Sequence, residues 1–259
     1  MNEANLERLI VGSGSEAREI AVLPRHGKAP GLFWLGGFRS DMTGSKASAT
    51  DAYGAKYGLA TTRFDYSGHG QSGGRFEDGT ISRWLEEAGA VLDRFAPSRT
   101  ILVGSSMGGW IALLLAERLR DSGRVAGLIL IAPAIDMTRA LMWDIWPKKG
   151  RAALTETGVY HQPSAYADEP YAITRQLIED GDKHLFGDRL IEVGCPVHIL
   201  QGIADKEVPW RHAERLVTRL ASDDVVLTLV KDGDHRLSRE EDIARLDAAI
   251  DGIVAEAKV

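Results

Sequence analysis

TILVGSSMGGWIALLLAERL, at residues 100–119, is the stretch of sequence that decides the fold. It opens with an apolar run of strand length from Thr100 to Val103, passes through Gly-Ser-Ser-Met-Gly, and continues as an apolar helical segment from Trp110 to Leu119. A strand that turns sharply into a helix at G-x-S-x-G lifts the central serine above the sheet. We therefore expect Ser106 to be a nucleophile.

A second match to the same pattern occurs at residues 70–74, GQSGG, and it centres on Ser72. This match lies in a glycine-rich loop, without an apolar strand leading directly into it or an apolar helix leaving it. The chemistry needs both elements, because they hold the serine in its strained turn. Ser72 is therefore not expected to be the nucleophile.

Apolar runs of strand length recur along the chain, and segments with helical spacing separate most of them. The strand-like runs lie at 32–37, 59–66, 100–105, 125–134, 196–202 and 224–230. The helical segments lie at 81–96, 107–121, 210–221 and 238–257. This alternation predicts an α/β fold, with a mostly parallel sheet and helices on both faces. Charged but partly apolar runs near 7–11 and 18–23 are candidates for edge strands.

The alternation stops at residues 136–194, where no convincing strand occurs. Structureless loops of this length are rare in compact domains. The stretches TRALMWDIW at 138–146 and AITRQLIEDG at 172–181 have helical character instead. We therefore predict one core formed by 1–135 and 195–259, with 136–194 inserted as a small helical cap.

A serine hydroxyl is a weak nucleophile unless a base and an orienting acid activate it. Of the seven histidines, His235 follows the last strand-like run and a small polar turn, and it precedes the final helical segment. That is where a base can reach across the top of the sheet to the serine. His235 is the predicted general base.

The predicted acid is Asp205, which follows the buried run PVHILQG at the sheet edge where sites in α/β proteins form. Asp234 competes with it, but residues adjacent on a turn rarely align a carboxylate with the neighbouring imidazole. Glu207 and Asp136 are weaker candidates. The alternative role for Asp205 is to cap the following helix.

The negative charge that develops on a substrate carbonyl oxygen needs backbone N–H donors. One donor should be the amide of Met107, directly after the predicted nucleophile. The glycine pair Gly36-Gly37 ends an earlier strand-like run, and this points to the amide of Phe38 as the second donor. The alternative is that these glycines form an ordinary turn.

Charge and composition exclude several classes of function. The net charge is −6, and no run of Lys and Arg is interleaved with aromatic residues, so nucleic acid is not an expected partner. No H-E-x-x-H motif or His and Cys cluster suggests a metal, and no cofactor motif is recognised, so we expect neither. A small acyl-bearing molecule is the expected partner.

The single cysteine, Cys195, cannot form a disulfide within the chain, which favours a reducing compartment. The opening residues MNEANLERLIVG mix acidic and basic side chains and lack the features of a signal peptide, and no segment has the length of a membrane span. We therefore expect a cytoplasmic protein without a membrane span.

With these residues placed, the chain resembles the α/β-hydrolase superfamily. Within it, the chain is most similar to mitochondrial abhydrolase-domain serine esterases that cleave acyl glucuronides and remove palmitoyl groups from cysteine thiols. The resemblance implies an α/β-hydrolase fold and a small acyl substrate or an acylated protein, and its nucleophile, acid and base fall on Ser106, Asp205 and His235. The segments that carry it are GGFRSDMTGSKA at 36–47, RFDYSGHGQSGG at 63–74, ILVGSSMGGW at 101–110, PVHILQGIADKEVPW at 196–210, DHRLSREEDI at 234–243 and, in the cap, PSAYADEPYAITRQLIEDG at 163–181.

Two other functions remain open. Peptidases, lactonases and carbon–carbon bond hydrolases on this fold share the same three residues, so the cap and pocket must distinguish them. A non-catalytic ligand-binding module is the third class, although no member of the catalytic set is missing here. In the cap, the run MWDIW places Trp143 and Trp146 either against the acyl pocket or in packing that holds the cap to the core.

Overall fold

The computed structural model describes residues 5–163, 170–221 and 224–257. The strands of this part of the chain are β1 (Glu7–Val11), β2 (Arg18–Arg25), β3 (Lys28–Leu35), β4 (Leu59–Phe64), β5 (Thr100–Ser105), β6 (Val125–Ile131), β7 (Val159–Gln162), β8 (Tyr171–Thr174), β9 (Val197–Gly202) and β10 (Val225–Val230). The α-helices are α1 (Ser45–Tyr57), α2 (Ile81–Phe95), α3 (Met107–Leu119), α4 (Lys148–Thr157), α5 (Arg175–Gly181), α6 (Trp210–Val217) and α7 (Glu240–Glu256).

Within the described ranges, eight strands form one sheet in the order β1-β2-β4-β3-β5-β6-β9-β10. The pairs β1·β2 and β2·β4 are antiparallel, and every pair from β4 to β10 is parallel. The carboxyl ends of the parallel strands therefore meet along one edge of the sheet, where β5 and β9 lie on either side of β6. The predicted mostly parallel sheet is confirmed.

The side chains of β5 alternate between two apolar layers. Leu102 packs in the layer that contains residues of α2, α3 and α6, whereas Ile101 and Val103 pack in the layer that contains residues of α1 and α7. Helices therefore cover both faces of the sheet, and the central strands are buried on both sides. The predicted α/β-hydrolase architecture is confirmed.

Several features differ from the sequence prediction, among them α4, which was not predicted, and residues 172–174, which were expected to be helical and belong to β8. Helix α1 was not predicted, because its sequence SKASATDAYGAKY contains several weak helix formers and lacks a clear apolar stripe. Between β6 and β9, the expectation of no strand was wrong, because β7 and β8 pair as an antiparallel hairpin that is separate from the main sheet. The candidate edge strands at 7–11 and 18–23 are present as β1 and β2.

Residues 136–194 also contain a turn of π-helix (Thr138–Trp143) and the helices α4 and α5. We refer to residues 136–194 as the insertion, after the predicted cap; that they form a unit inserted into one core stays a prediction. Part of the resemblance in this region, residues 164–169, lies outside the described residues. Among the helices described, none combines the length and the apolar character that crossing a bilayer requires.

Candidate active site

The turn between β5 and α3 holds Ser106 in an unusual backbone conformation. Its φ and ψ are 54° and −117°, a region that residues other than glycine rarely occupy. The Ser106 amide donates to the carbonyl oxygen of Ile131 at 2.9 Å, and the Ser106 carbonyl accepts from the amide of Gly109 at 2.9 Å. Hydrogen bonds on both sides of the residue thus fix the turn, with the side chain at the carboxyl edge of the sheet.

The small residues around the serine are required by close backbone approaches. A Cβ atom added to Gly108 would lie 2.0 Å from the carbonyl oxygen of Leu35. A Cβ atom added to Gly104 would lie 2.4 Å from the carbonyl oxygen of Gly108. Both distances are far below van der Waals contact, so these two glycines allow α3 to start directly against β3 and β5.

His235 lies between Ser106 and Asp205. Its Nε2 atom is 3.2 Å from Oγ of Ser106, and its Nδ1 atom is 2.8 Å from Oδ2 of Asp205. Because an ionised carboxylate only accepts hydrogen bonds, Nδ1–H must be the donor to Asp205. The neutral ring then presents Nε2 as an acceptor for the serine hydroxyl, which is the tautomer that a general base needs.

The side chain of Asp205 is fully buried, and protein groups hold both of its oxygen atoms. Oδ1 accepts from the amides of Glu207 at 2.8 Å and Val208 at 2.9 Å, while Oδ2 also accepts from Nε2 of Gln201 at 3.2 Å. Burial by itself pushes the pKa of Asp205 upward, but the hydrogen bonds from His235 and the two amides outweigh it. The pKa of Asp205 therefore lies below its ordinary value, and the group stays ionised.

Two of the competing acids make other contacts. Oδ1 of Asp234 accepts from the amides of Arg236 and Leu237, both at 3.0 Å, and so caps the turn after His235. The carboxylate of Asp136 accepts from the amides of Phe186 and Gly187 at 2.8 and 3.0 Å. Both carboxylates thus bind nearby backbone amides, whereas Asp205 contacts the imidazole.

Glu207, the third competitor, contacts the same imidazole from the opposite side. Its Oε2 atom lies 3.5 Å from Nε2 of His235, and its side chain is 41% exposed. The ring nitrogen that faces Ser106 therefore also faces a carboxylate at the solvent side. Sequence reasoning considered Glu207 only as a substitute for Asp205 and missed this position, because nothing in the spacing indicates which ring nitrogen a loop carboxylate reaches.

Ser72, at the second G-x-S-x-G match, is engaged in structural hydrogen bonds. Its Oγ donates to the carbonyl oxygen of Asp65 at 2.6 Å and accepts from the amide of Ala21 at 2.8 Å. These bonds tie the glycine-rich loop to β2. In the described part of the chain, Ser106 is therefore the one of these two serines whose hydroxyl lies within hydrogen-bond distance of a histidine ring.

The predicted oxyanion donors lie next to Ser106. Met107 is the first residue of α3, where an amide has no acceptor within its own helix. The loop after β3 passes close to the serine, since a Cβ atom added to Gly37 would lie 3.4 Å from Cβ of Ser106. Within the described residues, no hydrogen-bond acceptor is found for the amide of Phe38. Neither amide has an acceptor among the hydrogen bonds of the described residues, and their assignment as oxyanion donors stays a prediction.

An aromatic cluster supports the loop that carries Phe38. The Phe38 ring packs against Phe76 at 4.8 Å and Trp84 at 6.0 Å, and His69 lies 5.3 Å from Trp84. Burial lowers the pKa of His69 to about 4, and the nearby charge of Arg39 acts in the same direction. His69 is therefore a neutral packing residue.

The two tryptophans of the insertion have different surroundings. Trp146 is buried, its ring packs against Tyr160 at 4.8 Å, and its Nε1 donates to Oε1 of Gln162 at 3.0 Å. Trp143 is half-buried and lines a cavity of about 310 Å³ within the insertion, together with Leu154, Ile178 and several charged residues. None of Ser106, Asp205 and His235 lines this cavity.

Known proteins match the chain over most of its length. Residues 26–249 match the model of the alpha/beta hydrolase family. The mitochondrial palmitoyl-protein thioesterase ABHD10 of Bos taurus is 34% identical over 229 residues, which cover 88% of this chain and 74% of that protein.

Two solved structures show the same similarity in three dimensions. The crystal structure of an Agrobacterium vitis S4 protein superposes with a TM-score of 0.94 at 52% identity, covering 97% of this chain and 99% of that one. Mouse alpha/beta hydrolase domain-containing protein 10 superposes with a TM-score of 0.88 at 34% identity, covering 98% and 99%. The chain therefore belongs to the α/β-hydrolase family.

Proposed function

We propose that this hydrolase is a serine esterase or thioesterase that cleaves small acyl substrates through an acyl-enzyme intermediate on Ser106. The observation that carries the proposal is the position of His235, whose two ring nitrogens lie 3.2 Å from Ser106 Oγ and 2.8 Å from Asp205 Oδ2. This is the arrangement in which a serine hydroxyl becomes nucleophilic at neutral pH.

In the first half of the reaction, Nε2 of His235 removes the proton from Ser106 Oγ while the oxygen attacks the acyl carbon. The resulting oxyanion accepts hydrogen bonds from the amides of Phe38 and Met107. When the tetrahedral intermediate collapses, the carbon–oxygen or carbon–sulfur bond breaks. The leaving alcohol or thiol takes the proton from His235, and the acyl group stays on the serine.

In the second half, water replaces the alcohol or thiol. His235 accepts a proton from the water as its oxygen attacks the acyl carbon, and it returns that proton to Ser106 Oγ when the carboxylic acid leaves. Asp205 stays ionised throughout and stabilises the imidazolium that forms in both halves. Its lowered pKa supports this role.

The relatives support an acyl substrate but differ in the substrate that their names state. The similar bovine protein is a palmitoyl-protein thioesterase, and a more distant relative from Mycolicibacterium smegmatis is a monoacylglycerol lipase. Esters and thioesters share the acyl carbon that the serine attacks, so one site can cleave both. The acyl carbon is therefore the proposed reacting centre, and the leaving group is either an alcohol or a thiol.

The experiment is labelling with a fluorophosphonate probe, followed by peptide mapping, and then turnover of p-nitrophenyl esters and acyl thioesters of graded chain length. We expect the probe on Ser106 and turnover of at least one ester or thioester series. Labelling without ester or thioester turnover, but with turnover of peptide or lactone substrates, would favour the other serine-dependent chemistries. Absence of both labelling and turnover would favour a non-catalytic ligand-binding module.

A further inference from the structure

A lysine in the first turn of α1 reaches the loop that carries His235. Nζ of Lys46 donates a hydrogen bond to the carbonyl oxygen of Arg236, the residue directly after His235. Nζ also lies 3.5 Å from Oγ of Ser238. The two bonded residues are 190 positions apart in the chain, so this contact joins two distant segments at the active site.

The turn that Lys46 contacts is also held by the side chain of Asp234. The amide of Arg236 donates to Oδ1 of Asp234 at 3.0 Å, and the amide of Leu237 donates to the same atom at 3.0 Å. Leu237 has a φ of 43°, in the left-handed region that side chains other than glycine rarely adopt. A turn of this kind persists only when its surroundings fix it, and the bond from Lys46 supplies the restraint on the carbonyl side.

Lys46 also follows the segment that supplies the predicted oxyanion donor. The chain runs from Phe38 through a short loop into α1, and Lys46 is the second residue of that helix. The next helical residue, Ala47, is fully buried against the sheet, so the start of α1 is anchored. The lysine therefore connects the oxyanion side of the site with the base side.

The Lys46 side chain is half-buried. With Leu200, Leu237 and other apolar side chains, it lines a small cavity of about 10 Å³. Burial lowers the pKa of Lys46 to about 8, and the charge of Arg236 adds to this decrease, whereas the carboxylates of Asp234 and Asp242 oppose it.

The charged groups around this cavity come from two elements. Asp234 and Arg236 act on the ammonium from the loop and Asp242 acts on it from α7, where Arg245 also lines the cavity. The carboxylate of Asp242 is already bonded to Arg239 and Arg245. Nearby carboxylates therefore balance only part of the positive charge of the Lys46 ammonium. This makes the charge sensitive to pH in the alkaline range.

We propose that Lys46 is a positioning residue whose charged side chain, through its bond to the Arg236 carbonyl, keeps His235 within reach of Ser106. The role in turnover rests on the proposed function. A hydrogen bond from a charged donor is about twice as strong as one from a neutral donor. Loss of the charge should therefore loosen the turn after His235. A displacement of about 1 Å at a reacting group can lower the rate roughly 100-fold.

The test compares Lys46→Met, Lys46→Arg and the control Lys56→Met, which removes an exposed lysine from the same helix. The readouts are kcat and KM for a short-chain p-nitrophenyl ester across neutral and alkaline pH. In Lys46→Met we expect kcat to fall roughly 10- to 100-fold with KM nearly unchanged, because the chemical step and not substrate binding depends on His235. Lys56→Met should match the wild type.

The pH profile separates positioning from simple packing. Wild-type kcat should decline as pH rises through about 8, where the Lys46 ammonium loses its proton. Lys46→Arg should keep substantial activity and shift that decline upward, because a guanidinium stays charged. A Lys46→Arg profile with the same alkaline decline as the wild type overturns the proposal, and so does a Lys46→Met kcat within about twofold of the wild type.

The role of Lys46 in holding the turn can be tested without measuring turnover, so this test does not depend on the proposed function. Hydrogen exchange at neutral pH should show faster exchange of the Arg236 and Leu237 amides in Lys46→Met than in Lys56→Met. Equal exchange rates in the two variants would show that Lys46 does not hold the turn after His235, and would overturn the proposal. If the wild type is not labelled by the fluorophosphonate, the proposed function fails instead, and the exchange result still decides whether Lys46 holds the turn.

Discussion

Oδ2 of Asp205 lies 2.8 Å from Nδ1 of His235, although 30 residues separate them, whereas the carboxylate of the adjacent Asp234 is bonded to backbone amides of its own turn. A residue next to the histidine is thus less able to orient its ring than one from the end of the neighbouring strand β9. This difference makes the choice of acid testable.

Asp205→Asn should lower kcat by roughly 10³- to 10⁴-fold, because an amide that donates to Nδ1 stabilises the wrong tautomer of His235. Asp234→Asn should have a much smaller effect, since an amide oxygen can still accept from the turn. Steady-state kinetics of both variants, with circular dichroism as the control for folding, measure the difference. A larger loss in Asp234→Asn would show that Asp205 is not the acid.

Ser106→Ala should abolish fluorophosphonate labelling and lower turnover by roughly 10³-fold or more. Ser72→Ala is the matched control, because it removes the other serine at the centre of a G-x-S-x-G pattern. We expect it to be labelled and active, with a stability loss of about 1 kcal/mol from the hydrogen bonds to Asp65 and Ala21. Probe fluorescence and thermal midpoints measure both effects, and a labelled Ser106→Ala protein would contradict the assignment.

His69 should make the fold sensitive to acid. Its pKa in the folded protein is lowered from 6.5 to about 4, so the neutral ring is the form that fits the aromatic cluster. The stability that depends on the neutral ring is fully present above pH 6.5, and it is lost as the pH falls from 6.5 towards about 4. Between about pH 7 and pH 5, we expect wild-type stability to drop by about 2 kcal/mol from this residue.

His69→Phe keeps an aromatic ring in the cluster and removes the titrating group. Urea unfolding at both pH values should therefore show a smaller pH-dependent loss in this variant than in the wild type, even if its stability at neutral pH is lower. If the two proteins lose the same stability on acidification, other groups account for the sensitivity and His69 does not.

Trp146→Phe and Trp143→Ala should separate packing from substrate selection in the insertion. Trp146 is buried against Tyr160 and donates to Gln162, so Trp146→Phe should lower stability by roughly 1 to 3 kcal/mol and leave the chain-length profile unchanged.

Trp143 lines the cavity of the insertion, so Trp143→Ala tests whether acyl chains bind there. If they do, the preference between octanoyl and butyryl esters should change, at about 0.8 kcal/mol for each methylene that loses its contact. Values of kcat/KM for four chain lengths measure this preference. Profiles parallel to the wild type in both variants would remove the cavity from the list of acyl sites.

Much of the fold could be predicted because its signals are local. The central strands are continuous apolar runs, and the turn at Ser106 is flanked by both of its required elements. The helix α1 could not be predicted, because its stability comes from residues such as Ala47 and Tyr53 that are buried by tertiary packing and not from helix propensity. The hairpin of β7 and β8 was missed because its strands are four residues long and only partly buried.

The chain order of nucleophile, acid and base indicated which residues meet, and the structure brings Ser106, Asp205 and His235 together. The bond from Lys46 had no signature in the sequence, because its acceptor is a backbone carbonyl that any residue could supply. The cytoplasmic location and the division of the chain into core and cap stay predictions.

The φ of 54° at Ser106 places backbone strain at the proposed nucleophile, so the geometry proposed for catalysis lowers thermodynamic stability at this residue. A glycine occupies that region without strain, and relief of such strain is worth about 1 to 3 kcal/mol. Ser106→Gly should therefore raise the melting temperature while it removes the reactive hydroxyl, whereas Ser106→Ala keeps the strained Cβ. A thermal midpoint of Ser106→Gly above that of Ser106→Ala would measure the backbone strain at this position separately from the loss of the hydroxyl.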